Sequence, residues 1–286
     1  MTYRSHFIAA SDGLKLHVRE YGDPNSSRVP VLCLAGLTRN ALDFVPLAEA
    51  LSARGHRVIA PDYRGRGLSD RDPDPARYDI PVELDDVFTV CTALDVGSAA
   101  IVGTSRGGLL AMAIGAAKPE FLRGVVLNDV GPILEVEGLR RIAAYVGKIK
   151  PPRDWDEAIA TLKTIQGEAF PALDETDWRA LAEGSFVEKD GGLVSSYDLA
   201  LMDGLAKLDL SQPLPPLWVY FDAIGHVPVL ALRGENSPLL SQETFEAMAE
   251  RHPQLQSLLI RGQGHVPLLR DALSIDAIIC FIATLD

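Results

Sequence analysis

The sequence predicts an α/β fold: a mostly parallel, doubly wound sheet carrying an inserted block of helices. Three observations predict it. The runs "VPVLCLAG", "HRVIAPD", "AAIVG" and "VPVLALRG" have continuous apolar centres rather than alternation, as strands covered on both faces do. Helically spaced segments lie between them, the rhythm of βαβ units. From about Gly131 the strand signal stops while helical spacing continues.

In chain order, "SHFIAA" and "LKLHVREYG" read as strands joined at Asp12-Gly13, a strong hairpin turn signal. "VPVLCLAG" is the next strand. "ALDFVPLAEALSARG" has helical spacing and ends at Gly55, and "HRVIAPD" is again a strand. "PVELDDVFTVCTALDVG" reads as a helix with Pro81 in its first turn. The strand "AAIVG", the helix "GGLLAMAIGAAKPE" and the strand "LRGVVLND" follow. Residues 132–212 then read as a helical cap built from "EGLRRIAAYVGKIK", "DWDEAIATLKTIQ", "ETDWRALAEG" and "SSYDLALMDGLAKL". Within it Asp154 and Glu157 have the spacing of a capping box. "SQPLPP" reads as a linker, after which the α/β rhythm resumes with "VPVLALRG", "SQETFEAMAERHP", "LQSLLI" and a last helix "SIDAIICFIATLD". The core therefore comprises 1–131 and 213–286, with no internal repeat.

Composition limits the function. The 286 residues are 47% hydrophobic, enough for a sizeable core. A net charge of -12 disfavours nucleic-acid backbones, which need clustered Lys and Arg, and anionic membrane surfaces. No apolar run approaches the roughly 20 residues of a membrane span. The N-terminal residues do not read as a signal peptide, so a cytoplasmic location is expected. Cys33, Cys91 and Cys280 lack metal-type spacing and are expected to be buried, reduced thiols. No motif asks for a metal, nucleotide or flavin, so no cofactor is expected. The expected partner is a small-molecule substrate, with a homodimer left open.

The chemistry concentrates in "IVGTSRGG", where Gly103-Thr104-Ser105-Arg106-Gly107 forms G-x-S-x-G between a strand and a helix. That context makes a common pattern specific. A tight strand-to-helix turn holds the Ser105 hydroxyl at the C-terminal edge of the sheet, beside the free N–H groups of a helix N-terminus.

With this motif, "LAGLTRN", "PDYRGRGLSD" and "GQGHVP", the chain resembles serine-nucleophile α/β-hydrolase-fold proteins with a helical cap over essentially its whole length. The resemblance implies an esterase-like hydrolase with a catalytic triad and an oxyanion hole. Ser105 would be the nucleophile. A serine hydroxyl needs a base, and of six histidines only His265 lies in a glycine-flanked loop after a late strand, giving the order serine, acid, histidine. The oxyanion donors would be the backbone N–H groups of Leu37 and Arg106. Where the family often has His-Gly, this chain has Ala35-Gly36, which removes no backbone donor.

The acid is less plain. In many members it lies after the strand following the cap, and the matching position here is Pro238 in "GENSPLLS". A proline accepts no hydrogen bond on its side chain. Three readings stand: Asp129, at the end of the preceding core strand, is the acid; Glu235 or Asn236 serves through a shifted loop; or the triad is incomplete. Asp129 is the reading carried forward. Arg39 and Arg106 flank the site, either to bind a substrate carboxylate or to pair with protein carboxylates such as Asp62 or Asp43. Arg64, Arg66 and Asp62 read as loop-holding residues. Trp218 is a candidate for substrate binding, while Trp155, Trp178 and Tyr197 would line a pocket or form the cap's core. The expected function is cleavage of a small carboxylic ester or related acyl compound through an acyl-enzyme. The alternatives are C–C bond or amide hydrolysis on the same triad, or a degenerate fold that binds a ligand without turnover.

Overall fold

The Asp12-Gly13 turn joins β1 (Arg4–Ala9) to β2 (Lys15–Tyr21), antiparallel and in register from Arg4 opposite Glu20 to Ala9 opposite Lys15, with Gly13 at φ +87°. In the computed structural model, which describes residues 3–286, the chain continues through β3 (Val31–Leu34), α1 (Val45–Ser52) and β4 (Val58–Pro61). The single helix expected over "ALDFVPLAEALSARG" is instead a 3-10 turn, Ala41–Phe44, followed by α1. Pro46 lies in the first turn of α1, where its missing N–H disturbs no helical bond. α2 (Ile80–Ala93) is capped by Asp79, whose side chain accepts from the Val82 N–H, and has Pro81 in its first turn. β5 (Ala99–Thr104), α3 (Arg106–Ala117) and β6 (Leu122–Asn128) complete the first half of the core.

Between β6 and the next core strand lie α4 (Val136–Tyr145), α5 (Trp155–Gln166) and α6 (Glu175–Ser185). Here the all-helical expectation fails. Phe186–Lys189 and Gly192–Ser195 form an antiparallel hairpin, β7 and β8. The last helix expected before the linker shrinks to a 3-10 turn and α7 (Met202–Ala206). Residues 154 and 157 form half of the expected box. Asp154 accepts from the Glu157 N–H, but Glu157 turns to the N–H of Arg153. The complete capping box is Asp174 with Asp177, opening α6. Ala158, Leu162, Phe170, Trp178, Leu181 and Phe186 give this insertion a hydrophobic core of its own.

After α8 (Trp218–Asp222) the core closes with β9 (Val229–Gly234), α9 (Gln242–Arg251), β10 (Leu255–Ile260) and α10 (Ala272–Ala283). The eight core strands run in the order β1-β2-β4-β3-β5-β6-β9-β10. β2 is antiparallel to both neighbours and every later pairing is parallel. Every residue of β3, β4 and β5 is buried, so helices cover both faces, as the continuous apolar runs require.

Cys33 and Cys91 are buried, and burial pushes both thiols up, that of Cys91 to about 12. Cys280 departs from expectation. It is exposed, on the outward stripe of α10 with Leu273 and Asp276. Among the described residues no helix is long and apolar enough to cross a membrane.

Candidate active site

The turn after β5 holds Ser105 at φ 50°, ψ -112°, a left-handed backbone conformation that costs a non-glycine residue about 1–3 kcal/mol. The surrounding packing enforces it. A Cβ on Gly107 would strike the Leu34 carbonyl, and one on Gly103 the Gly107 carbonyl, so the glycines let α3 start directly against β3 and β5. Ser105 donates its backbone N–H to the Asn128 carbonyl at 3.0 Å, which fixes the elbow to β6.

From this turn the Ser105 hydroxyl meets His265 Nε2 at 2.9 Å, and His265 Nδ1 lies 2.7 Å from Asp129 Oδ2. Asp129 is fully buried, at φ 57° just past β6. Its Oδ1 accepts from the Gly234 N–H at 2.8 Å, and its Oδ2 also accepts from the Ser237 hydroxyl at 2.6 Å. Such donors offset the desolvation a buried carboxylate suffers. With that carboxylate as acceptor at Nδ1, the tautomer that suits the geometry is the one that leaves Nε2 free to accept from serine. Asn128 ties the histidine loop to the sheet, donating to the Pro267 carbonyl at 2.9 Å and to Thr104 Oγ1 at 3.2 Å.

The other residues considered for this role point elsewhere. Glu235 accepts from the Gly262 N–H at 2.8 Å, and Asn236 donates to the Ala169 carbonyl at 3.0 Å. Pro238 lies against the insertion, where its carbonyl would meet any Cβ added to Gly138 of α4.

Arg106 opens α3, so its N–H has no acceptor within the helix. The Leu37 N–H meets no backbone acceptor among the described residues. The loop that carries it passes close to the serine: a Cβ on Gly36 would stand 3.9 Å from Ser105 Cβ. Two free N–H groups beside a hydroxyl suit a developing oxyanion.

Above Ser105 opens a cavity of about 470 Å3, lined by core residues including Leu37, Leu109 and Val130 and by insertion residues including Leu139, Ile142 and Phe170. Its lining is dominated by apolar side chains. Both flanking arginines already have carboxylate partners. Arg39 grips Asp43 through Nε at 2.9 Å and Nη2 at 2.5 Å, and donates to Ser185 Oγ. Arg106 donates through Nε to Glu83 at 2.6 Å. Of the two carboxylates named as examples for these arginines, Asp43 pairs with Arg39, whereas Asp62 instead caps a loop, accepting from the Ala41 and Leu68 N–H groups.

Trp218 is not at the site. It packs edge-on against Phe221 with Arg251 over its ring, on a helix that packs against α3, and is not among the residues lining the cavity. Trp178 is buried in the insertion's core and Trp155 packs against that core; of the aromatics considered, Tyr197 lines the cavity. Among the described residues no cluster of His, Cys, Asp and Glu could hold a metal.

A family model described as the alpha/beta hydrolase fold matches residues 29–272. The chain belongs to the α/β-hydrolase family. Among curated proteins it is 34% identical to the 3-hydroxybutyrate-oligomer hydrolase of Cupriavidus necator, over 90% of this chain and 89% of that one. It is 31% identical to the 2-(acetamidomethylene)succinate hydrolase of Mesorhizobium japonicum, over 91% and 89%. Among solved structures, an α/β hydrolase from Novosphingobium aromaticivorans superposes with a TM-score of 0.91 at 38% identity, covering 98% of each chain. By this kinship the protein is a hydrolase.

Sequence reasoning missed Asn128, Ser237 and Glu83. Asn128 and Ser237 adjoin residues that the motifs single out, Asp129 and Pro238. Glu83 carried one signal, an acid on a stripe of α2 with Val87 and Val90 that the core buries.

Proposed function

We propose that the protein is a serine hydrolase that cleaves a small carboxylic ester or related acyl compound through an acyl-enzyme. The observation that carries the proposal is the unbroken hydrogen-bonded line from Ser105 through His265 to a fully buried Asp129. In this reading the insertion is a cap over the substrate cavity.

The steps follow from the geometry. The substrate carbonyl lies between Ser105 Oγ and the N–H groups of Leu37 and Arg106. His265 Nε2 takes the hydroxyl proton as Oγ bonds to the carbonyl carbon, and the negative charge moves to the carbonyl oxygen, where the two N–H groups meet it. Asp129 holds the Nδ1 proton and steadies the imidazolium. The C–O bond of the ester breaks, His265 returns its proton to the departing alcohol, and the acyl group remains on Ser105. A water molecule, deprotonated by His265, then attacks the acyl carbon. Collapse of that second tetrahedral species breaks its bond to Ser105 Oγ, which takes the proton back from His265, and the carboxylic acid leaves.

The relatives' names divide between an ester-linked oligomer and an acetamide bearing two carboxylates. The apolar lining, and the carboxylate partner already held by each of Arg39 and Arg106, favour the ester. A fluorophosphonate probe tests the reading. It should modify Ser105 stoichiometrically, and Ser105→Ala should remove both labelling and turnover of short-chain nitrophenyl esters. An unmodified Ser105 in folded protein, found by peptide mass spectrometry, would refute it.

A further inference from the structure

Behind the two free backbone N–H groups lies a set of buried charges that the chemistry above does not use. Glu83, in the first turn of α2, has no exposed surface. Its Oε2 accepts from Arg106 Nε at 2.6 Å, and its Oε1 lies 2.7 Å from Arg66 Nη1. Arg66 is also fully buried, and donates from Nε to the Leu37 carbonyl at 2.8 Å and from Nη1 to the Arg64 carbonyl at 2.8 Å. The tyrosine rings of Tyr63 and Tyr78 flank its guanidinium, with centroids at 5.5 and 5.7 Å. One carboxylate therefore reaches both residues that offer the free N–H groups: Arg106 directly, and Leu37 through Arg66.

Neutral hydrogen bonds would suffice to hold a loop, and burying ions carries a desolvation penalty of several kcal/mol each. The set also contains two cations and one anion. Among the described residues neither Arg66 Nη2 nor Glu83 Oε1 has a hydrogen-bond partner, the latter meeting Arg66 as an ion pair; two guanidiniums against one carboxylate leave positive charge beside the Leu37 peptide, in a setting where electrostatic effects are stronger than in water. We propose that Glu83 and Arg66 are positioning residues for the oxyanion site: they fix the Leu37 and Arg106 peptides and back them with a net positive charge. The proposal rests on the serine-hydrolase reading given above.

The test uses Glu83→Gln and Arg66→Met in the full chain, with a nitrophenyl ester as substrate and an alkyl boronic acid as mimic of the tetrahedral anion. Removal of one oxyanion donor costs about 10²–10³-fold in kcat, so misplacing or weakening the pair should cost about 10–100-fold. KM should stay within about twofold, and boronic acid affinity should fall in step with kcat. A purely structural role would lower the melting temperature without linking kcat to boronic acid affinity. Arg106→Met breaks the Glu83 contact from the partly exposed end. It carries the test if either buried substitution fails to fold, with parallel losses in kcat and boronic acid affinity expected. Folded variants with kcat within threefold of the parent, or with losses confined to KM, would overturn the proposal. If Ser105→Ala still hydrolyses the ester, the failure belongs to the serine-hydrolase reading.

Discussion

Ser5, His17 and Asp62 repeat the residue types of the proposed triad. Ser5 Oγ is 3.0 Å from His17 Nε2, and His17 Nδ1 is 2.8 Å from Asp62 Oδ2. Yet Ser5 lies in a regular antiparallel strand opposite Arg19, with no helix N-terminus after it. Residue types and spacing do not suffice; the strained turn and free N–H groups at Ser105 make the difference. The same comparison shows what a linear chain reveals. Ser105 and His265 stand out because glycines at fixed offsets mark their turns. Asp129 was one of three readings, since nothing along the chain shows that β6 and β9 end side by side. Its role is directly testable. Asp129→Asn should lower kcat by up to about 10⁴-fold with little loss of folding, whereas Pro238→Asp should leave kcat near the parent value. Near-normal kcat in Asp129→Asn would remove Asp129 from the mechanism.

Among elements, β2 shows how its neighbour at the sheet edge, β1, is secured. Its Glu20 accepts from Arg57 Nε at 2.7 Å and Arg4 Nε at 3.0 Å, and lies 2.7 Å from His6 Nε2. One carboxylate thereby joins β1, β2 and the approach to β4. Burial raises the affinity of this carboxyl for a proton, but the bonds from Arg4, His6 and Arg57 outweigh it and hold the group below its ordinary 4.5. A carboxyl depressed in the folded state adds stability above its unfolded value, and that stability is lost as pH falls through the lower folded value. The melting temperature should therefore drop as pH falls below about 4.5, and Glu20→Gln should flatten that acid limb while lowering stability at pH 7. An unchanged acid limb in the variant would show that other carboxylates govern it. The missed hairpin belongs to this scale too. Asp190 and Gly191, at φ 52° and 82°, are the turn pair a two-residue hairpin demands. Strands of only four residues each, set among helices, gave too little alternation to register beside the helical signal.

At the scale of the molecule, an apolar chamber sits between a sheet edge and an inserted segment, with the hydroxyl at its floor. Burial contributes about 0.8 kcal/mol per methylene, close to a fourfold change in rate. For nitrophenyl esters, kcat/KM should thus climb several-fold per methylene from acetate toward hexanoate and level off when the chamber is full. A steady decline from acetate onward would show that acyl chains do not occupy it. The α/β core was readable because strands buried on both faces write themselves as unbroken apolar runs. The chamber was not, because residues such as Leu139, Leu181 and Leu239 face it from three separate stretches of chain.

In the proposed triad the carboxylate stands just past β6, and this has a consequence for how the scaffold can be reshaped. The turn after β9 is released from proton handling except through Ser237, and Pro238 instead props the first helix of the insertion at Gly138. The prop under the insertion and the buried carboxylate are thus mounted on separate brackets. A change at Pro238 can shift how the insertion rests on the core, while the Asp129 carboxylate stays bolted to its neighbouring strand.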